Sequence, residues 1–99
     1  MTTQEWRALL CSLRKHFPVS TEVIVRRGKR KKSFGMSIVK NNNYKIYIDS
    51  AMSNGHQIEV LIHEWAHIKM IDVILTENHS EDWGRMYAKI YSTWEKDFK

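Results

Sequence analysis

The segment LIHEWAHIKM, from Leu61 to Met70, places two histidines and a glutamate inside a run of apolar residues. Apolar residues continue on both sides of this segment, and their spacing between about residues 56 and 75 predicts a helix that is packed on two faces. Titratable side chains are costly in such surroundings unless they bind a partner. The segment therefore restricts the fold to one in which a largely buried helix exposes one functional edge.

His63, Glu64 and His67 match the pattern H-E-x-x-H. On a helix the two histidines are about 40° apart and one turn along, so both imidazoles can reach one zinc ion (Zn2+) at about 2.0–2.1 Å. Zinc acidifies a water molecule bound to it, and a neighbouring carboxylate can accept the proton. The pattern predicts a zinc site, with Glu64 as the base. The alternative is an exposed polar edge that matches by chance in a chain with five histidines.

A catalytic zinc site normally has three protein ligands, so a third must come from elsewhere. Asp72 lies about 180° from His63 around the helix, His56 is two turns away, and His16 ends a distant helix. His79 follows twelve residues after His67, beyond a turn at 76–78, and is the predicted third ligand. Alternatively, His79 is an ordinary residue at the start of a helix. The full set of candidates is His79, Glu77, Glu81, Asp72, His56 and His16, with Glu81 the first alternative to His79.

The pattern H-E-x-x-H followed by a turn and H-x-x-x-W resembles the active site of the SprT-like zinc metalloproteases. Its residues here are His63, Glu64, His67, His79 and Trp83. That family includes the Spartan proteases, which act on DNA–protein crosslinks, and the chain also resembles the phage-encoded minimal zincins of about this length. The resemblance covers about residues 44–94. It implies that the three histidines bind zinc, that Glu64 is the general base, and that the activity is peptide-bond hydrolysis.

The larger relatives add a cysteine-rich zinc module and DNA-binding segments downstream, whereas this sequence reaches Lys99 with one cysteine. The resemblance therefore implies a zincin core and not a cellular role. A core of this size leaves little wall around a cleft, so we expect weak sequence selectivity or an unfolded substrate.

The remaining patterns predict a single α+β domain over residues 1–99, with a small, mostly antiparallel sheet. The predicted elements are a helix from Thr2 or Thr3 to His16, an antiparallel meander of strands at 21–27, 33–39 and 44–49, the motif helix at about 56–75, and a helix from near Asn78 to the carboxyl terminus. The motif helix is expected to lie between the sheet and the last helix.

Three features of these elements bear on the site: one strand and one tyrosine each have two interpretations, and one glycine has a predicted role. The strand at 44–49 is either the sheet edge that pairs with an extended substrate or an internal strand. Tyr87 is either a hydrogen-bond donor to a developing oxyanion or a core residue. Gly84 costs about 1 kcal/mol relative to alanine inside a helix and is expected to permit close packing.

The basic segment, RRGKRKK from Arg26 to Lys32, contains six positive charges, while the whole chain has a net charge of +5. All of the net charge is thus concentrated in one place. A solvated hairpin turn is one interpretation, and nonspecific contact with the phosphates of DNA or RNA is the other. Because no aromatic residues are interleaved, sequence-specific recognition is not expected. An acidic protein partner would use the same charges.

The composition of the chain indicates its cellular compartment and limits the kinds of metal site that it can form. The single cysteine, Cys11, excludes an internal disulfide and a cysteine-only zinc knuckle, and it fits a reducing compartment. The amino-terminal segment lacks the apolar core of a signal peptide, and no apolar run approaches the roughly 20 residues that cross a bilayer. We expect a soluble, cytoplasmic, monomeric zinc metalloendopeptidase. The alternatives are a nucleic-acid-binding module with a structural zinc and no catalysis, and an interaction or inhibitor protein on the same scaffold.

Overall fold

Three helices and three strands make up most of the described part of the chain, and they confirm the α+β class. A computed structural model describes residues 3–29, 35–40, 43–74 and 81–98. The elements are α1 (Thr3–His16), β1 (Val23–Gly28), β2 (Gly35–Lys40), β3 (Asn43–Asp49), α2 (Asn54–Ile74) and α3 (Glu81–Phe98). The end of α1 was predicted correctly, because Pro18 cannot continue the helix beyond Phe17.

The strand order is β1-β3-β2, with β1 parallel to β3 and β2 antiparallel to it. The sheet is therefore mixed, and the predicted antiparallel meander is wrong. Burial gives the physical reason, because Tyr44, Ile46 and Ile48 of β3 are 8%, 0% and 0% exposed. The strand with these buried residues takes the centre, where both of its edges are paired and its buried face is covered. Of the two interpretations of residues 44–49, the internal strand is confirmed.

The basic segment does not form a hairpin turn, because β1 and β2 lie at opposite edges of the sheet. Its first residues belong to the end of β1, and residues 30–32 lie outside the described residues. Gly28 is paired with Asp49 and Gly35 with Ile48. With adjacent strands about 4.8 Å apart, Gly28 and Gly35 are separated by roughly 10 Å across the central strand.

Helix α2 lies between the sheet and α3, as predicted, and contacts β2, β3 and α3. Ser53 caps its start, since its Oγ accepts a hydrogen bond from the backbone N–H of His56 at 3.3 Å. The buried apolar residues of α2 are distributed around much of the helix: Leu61, Ile62, Trp65, Ala66, Ile68 and Met70. Within the described ranges, neither α2 nor another helix has the length and hydrophobicity of a membrane-spanning segment.

The loop after α1 is fixed to α2 by three hydrogen-bonding residues of that helix. Trp65 Nε1 donates to the carbonyl oxygen of Phe17 at 3.1 Å, and this bond is buried. Lys69 Nζ donates to the carbonyl oxygen of Pro18. The Asp72 carboxylate accepts bonds from the backbone N–H and the hydroxyl of Ser20. Positions 65, 69 and 72 follow helical spacing, so one continuous face of α2 is anchored.

Candidate metal centre and cleft

His63 and His67 converge on the edge of α2 that faces α3. Their Nε2 atoms are 3.2 Å apart, and their ring centroids are separated by 4.8 Å. Two nitrogens that bind the same zinc ion at about 2.0–2.1 Å in tetrahedral geometry are about 3.3 Å apart. The spacing of the two histidine nitrogens therefore fits a shared zinc ion. The same distance also allows a direct hydrogen bond between the two rings. The donor set, two imidazole nitrogens, is one that zinc prefers.

Helix α3 covers the histidine pair with Trp83. The Trp83 ring lies 4.9 Å from the His63 ring in an edge-to-face arrangement and 5.3 Å from the His67 ring, measured between centroids. All three side chains are half-buried. Trp83 therefore limits solvent access to the imidazoles from the α3 side, and it restricts the orientations that both rings can take.

A cleft of about 380 Å³ opens beside His63. It is formed by the start of β2, the middle of α2 and the first half of α3. Its lining residues are Gly35, Glu59, Val60, His63, Glu64 and Tyr87. The structure thus brings His63 and Glu64 together at one solvent-accessible cleft, while His67 lies behind them, next to Trp83.

Glu64 is a buried carboxylate that lines this cleft, with 8% of its surface exposed. Within the described ranges its side chain makes no hydrogen bond or ion pair. Glu64 therefore presents its carboxylate to molecules that enter the cleft, a position that suits a group acting on them.

Tyr87 lines the cleft opposite α2 and also packs against the core. Burial raises the pKa of the Tyr87 hydroxyl above its ordinary value of 10.0, and the negative charges of Glu59 and Tyr91 raise it further. The phenol therefore remains protonated at neutral pH. Trp83, Tyr87 and Tyr91 form a row along α3, with successive centroids 5.4 and 6.2 Å apart.

The other candidate ligands that the structure describes lie away from the histidine pair. Asp72 is on the anchored face of α2, bonded to Ser20. His56 and His16 are exposed at the start of α2 and the end of α1. His79 and Glu77 lie outside the described residues, as does the side chain of Glu81. Among the residues with described positions, no group of three potential ligands is found.

Sequence reasoning missed two residues of the cleft, Glu59 and Gly35. Glu59 precedes His63 by four residues, which places both on one helix face, so the spacing was a usable signal. Gly35 is the first residue of β2, and a glycine in a strand often marks a close approach of another element. A Cβ atom at Gly35 would overlap Val60 Cγ1 of α2 and lie 3.1 Å from the carbonyl oxygen of Tyr47.

Gly84 does not have the role expected from the sequence. A Cβ atom added there would meet nothing within 4 Å. The glycine is therefore not required for close packing of α3.

Comparison with protein-family models gives no match, and comparison with curated protein sequences gives none either.

Proposed function

We propose that this protein is a zinc-dependent metallopeptidase of the SprT-like type that hydrolyses peptide bonds. The observation that carries the proposal is the convergence of the His63 and His67 Nε2 atoms, 3.2 Å apart, beside a cleft that Glu64 also lines. Metal-assisted hydrolysis requires components of this kind: nitrogen ligands for the metal, a carboxylate that is not a ligand, and an open cleft for the substrate.

His63 and His67 would hold the zinc ion, and His79 is the proposed third ligand. His79 precedes Trp83 by four residues, so chain geometry limits their Cα separation to roughly 14 Å. Because Trp83 contacts both imidazoles, a third ligand four residues before it in the chain is compatible with the position of α3, which supports the choice of His79. When bound, the zinc ion would supply a Lewis acid for the substrate carbonyl and for the attacking water.

Glu64 is proposed as the general base. Its carboxylate would accept a proton from the attacking water and then deliver it to the departing amine. Glu64 is packed over most of its surface and still lines the cleft, a position that supports a role in proton transfer with a water molecule there.

The strand proposed to pair with an extended substrate is β2 rather than β3. The central β3 has both edges paired, whereas β2 is an edge strand whose first residue, Gly35, lines the cleft. A substrate chain added along the outer edge of β2 would therefore pass the cleft. Met36, 40% exposed on this strand, gives that edge an apolar contact for a substrate side chain.

Nonspecific nucleic acid is the proposed second partner, bound through Arg26 to Lys32. Arg26 and Lys29 are exposed, whereas the Arg27 guanidinium lies 4.5 Å over the buried Trp6 ring. The end of β1 is roughly 10 Å from Gly35 at the cleft, because two strand spacings separate them. A nucleic acid on the basic segment would thus lie near the cleft, which favours nucleic-acid-associated or unfolded proteins as substrates. A cytoplasmic location and a monomeric state belong to the same proposal.

Digestion of casein by the full chain with added zinc tests the proposal. We expect cleavage that a chelator abolishes, and a Glu64→Gln variant that still binds zinc but has no activity. Glu95→Gln, an exposed glutamate on α3, is the matched control and should cut like the parent. Activity that survives Glu64→Gln would contradict the mechanism.

The same assay separates the other functions. Zinc binding and DNA binding without cleavage, with Glu64→Gln indistinguishable from the parent, would indicate a nucleic-acid module with a structural zinc. No cleavage of any unfolded protein by the zinc-saturated chain, without DNA binding, would indicate an interaction or inhibitor protein. Faster cleavage in the presence of single-stranded DNA would support the role of the basic segment.

A further inference from the structure

The cleft contains a second carboxylate that the proposed mechanism does not use. Glu59 is exposed on α2, one helical turn before His63, and lines the cleft. Within the described ranges its side chain makes no hydrogen bond or ion pair. Glu64 is buried whereas Glu59 is open to solvent, so the two carboxylates are suited to different tasks.

Tyr87 lies close enough to Glu59 to sense its charge. The Glu59 carboxylate contributes, after burial, to the raised pKa of the Tyr87 hydroxyl. Both residues line the cleft, from α2 and from α3 respectively. The cleft thus has an aromatic ring on one wall and an exposed carboxylate on the other.

This combination is specific in its chemistry. A carboxylate forms charge-assisted hydrogen bonds with an ammonium or guanidinium group, and an aromatic ring attracts the same cation through its face. None of the described residues that line the cleft is a lysine or an arginine, although the whole chain has a net charge of +5. The two carboxylates among these described lining residues, Glu59 and Glu64, favour cationic groups over anionic ones.

We propose that Glu59 and Tyr87 form a subsite for a lysine or arginine side chain of the substrate. The proposal rests on the function proposed above and specifies its substrate class. Glu59 precedes His63 by four residues, a rise of about 6 Å along α2. An extended chain advances about 3.3 Å per residue, so the basic side chain would lie within about two residues of the cleaved bond. Such sequences are common in nucleic-acid-binding proteins, which agrees with the proposed position of the basic segment.

Matched peptides test this subsite. Each is a quenched fluorescent peptide, otherwise neutral, with lysine, glutamine or glutamate at one position within two residues of the cleaved bond. We expect the parent to cleave the lysine peptide with a kcat/KM about fivefold above that of the glutamine peptide, the scale of one exposed ion pair. In Glu59→Gln this ratio should fall to about one, and Glu59→Lys should prefer the glutamate peptide. Glu95→Gln should keep the parent's ratio.

Binding supplies a readout that does not depend on turnover. The Glu64→Gln variant, measured by fluorescence anisotropy, should bind the lysine peptide more tightly than the glutamine peptide, and adding Glu59→Gln should remove the difference. Cleavage of all peptides with equal ratios in parent and Glu59→Gln would overturn the subsite while leaving the peptidase intact. Glu59-dependent binding of the lysine peptide without cleavage would support the subsite and contradict the peptidase.

Discussion

Gly35 connects the sheet to the candidate site, and replacing it with alanine tests that connection. The new Cβ would fall well inside the contact distance of Val60 Cγ1 and lie 3.1 Å from the Tyr47 carbonyl oxygen. Val60 is β-branched and has few alternative rotamers in a helix. The Tyr47 oxygen belongs to the central strand, where movement would disturb the pairing with β2. The substitution therefore forces α2 and β2 apart.

The magnitude follows from the overlap. Overpacking a close contact costs about 1–3 kcal/mol in the free energy of unfolding. For a domain of about this length, 1 kcal/mol shifts Tm by roughly 4–8 °C, so we expect Gly35→Ala to lower Tm by about 10 °C. Val60 is three residues before His63 on α2, so the displacement should also weaken zinc binding if the proposed site is correct.

A double-mutant cycle checks the cause. Val60→Ala alone removes two methyl groups and should destabilise the fold, but it also removes the atom that Gly35→Ala would meet. In thermal unfolding followed by circular dichroism, the double variant should be more stable than the sum of the single changes by about 1 kcal/mol or more. Gly84→Ala is the control, because its Cβ meets nothing within 4 Å, and it should stabilise α3 by up to about 1 kcal/mol. An unchanged Tm in Gly35→Ala, or strict additivity, would refute the predicted contact.

Three further predictions concern pH, zinc and the aromatic wall. Burial and then the Asp72 carboxylate raise the pKa of Tyr44 in the folded state. The contribution of the protonated phenol to the free energy of unfolding is therefore complete below about pH 10 and declines as the pH rises towards the folded-state pKa. Tyr44→Phe should flatten this decline in urea denaturation at alkaline pH. Zinc at 100 times its Kd should stabilise the parent by about 2.7 kcal/mol, an effect that His63→Ala removes and the exposed control His56→Ala retains, measured by Tm. Tyr87→Phe keeps the aromatic ring and should keep the preference for the lysine peptide, whereas Tyr87→Leu should reduce that preference. If Tyr87→Phe instead lowers kcat for all peptides, the Tyr87 hydroxyl acts as a hydrogen-bond donor to the oxyanion.

The helices and the motif were predictable because their signals are local. The end of α1 follows from Pro18, and the placement of α2 between two layers follows from apolar residues on both of its sides. The convergence of His63 and His67 follows from a spacing of four residues on a helix. Each of these conclusions needs only neighbouring positions in the chain.

The order of the strands was not predictable from local patterns. Strands that are adjacent in sequence usually pair, which favoured a meander. The observed order depends instead on how the strands pack together with α2, which contacts β2 and β3, and β3, with Ile46 and Ile48 fully buried, takes the centre. The cleft depends on the same nonlocal arrangement, because Gly35 and Tyr87 reach it from β2 and α3.

The anchored face of α2 determines where its histidine edge points. Rotating a helix by one residue turns its side chains by about 100°, which would move His63 and His67 from the α3 interface into the core or into solvent. The buried bond from Trp65 Nε1 to the Phe17 carbonyl, with the bonds of Lys69 and Asp72, opposes such a rotation from the opposite side of the helix. Because these three residues follow helical spacing, they constrain the rotation along two turns rather than at one point. The precision of the candidate site therefore depends on residues that touch neither the cleft nor the imidazoles.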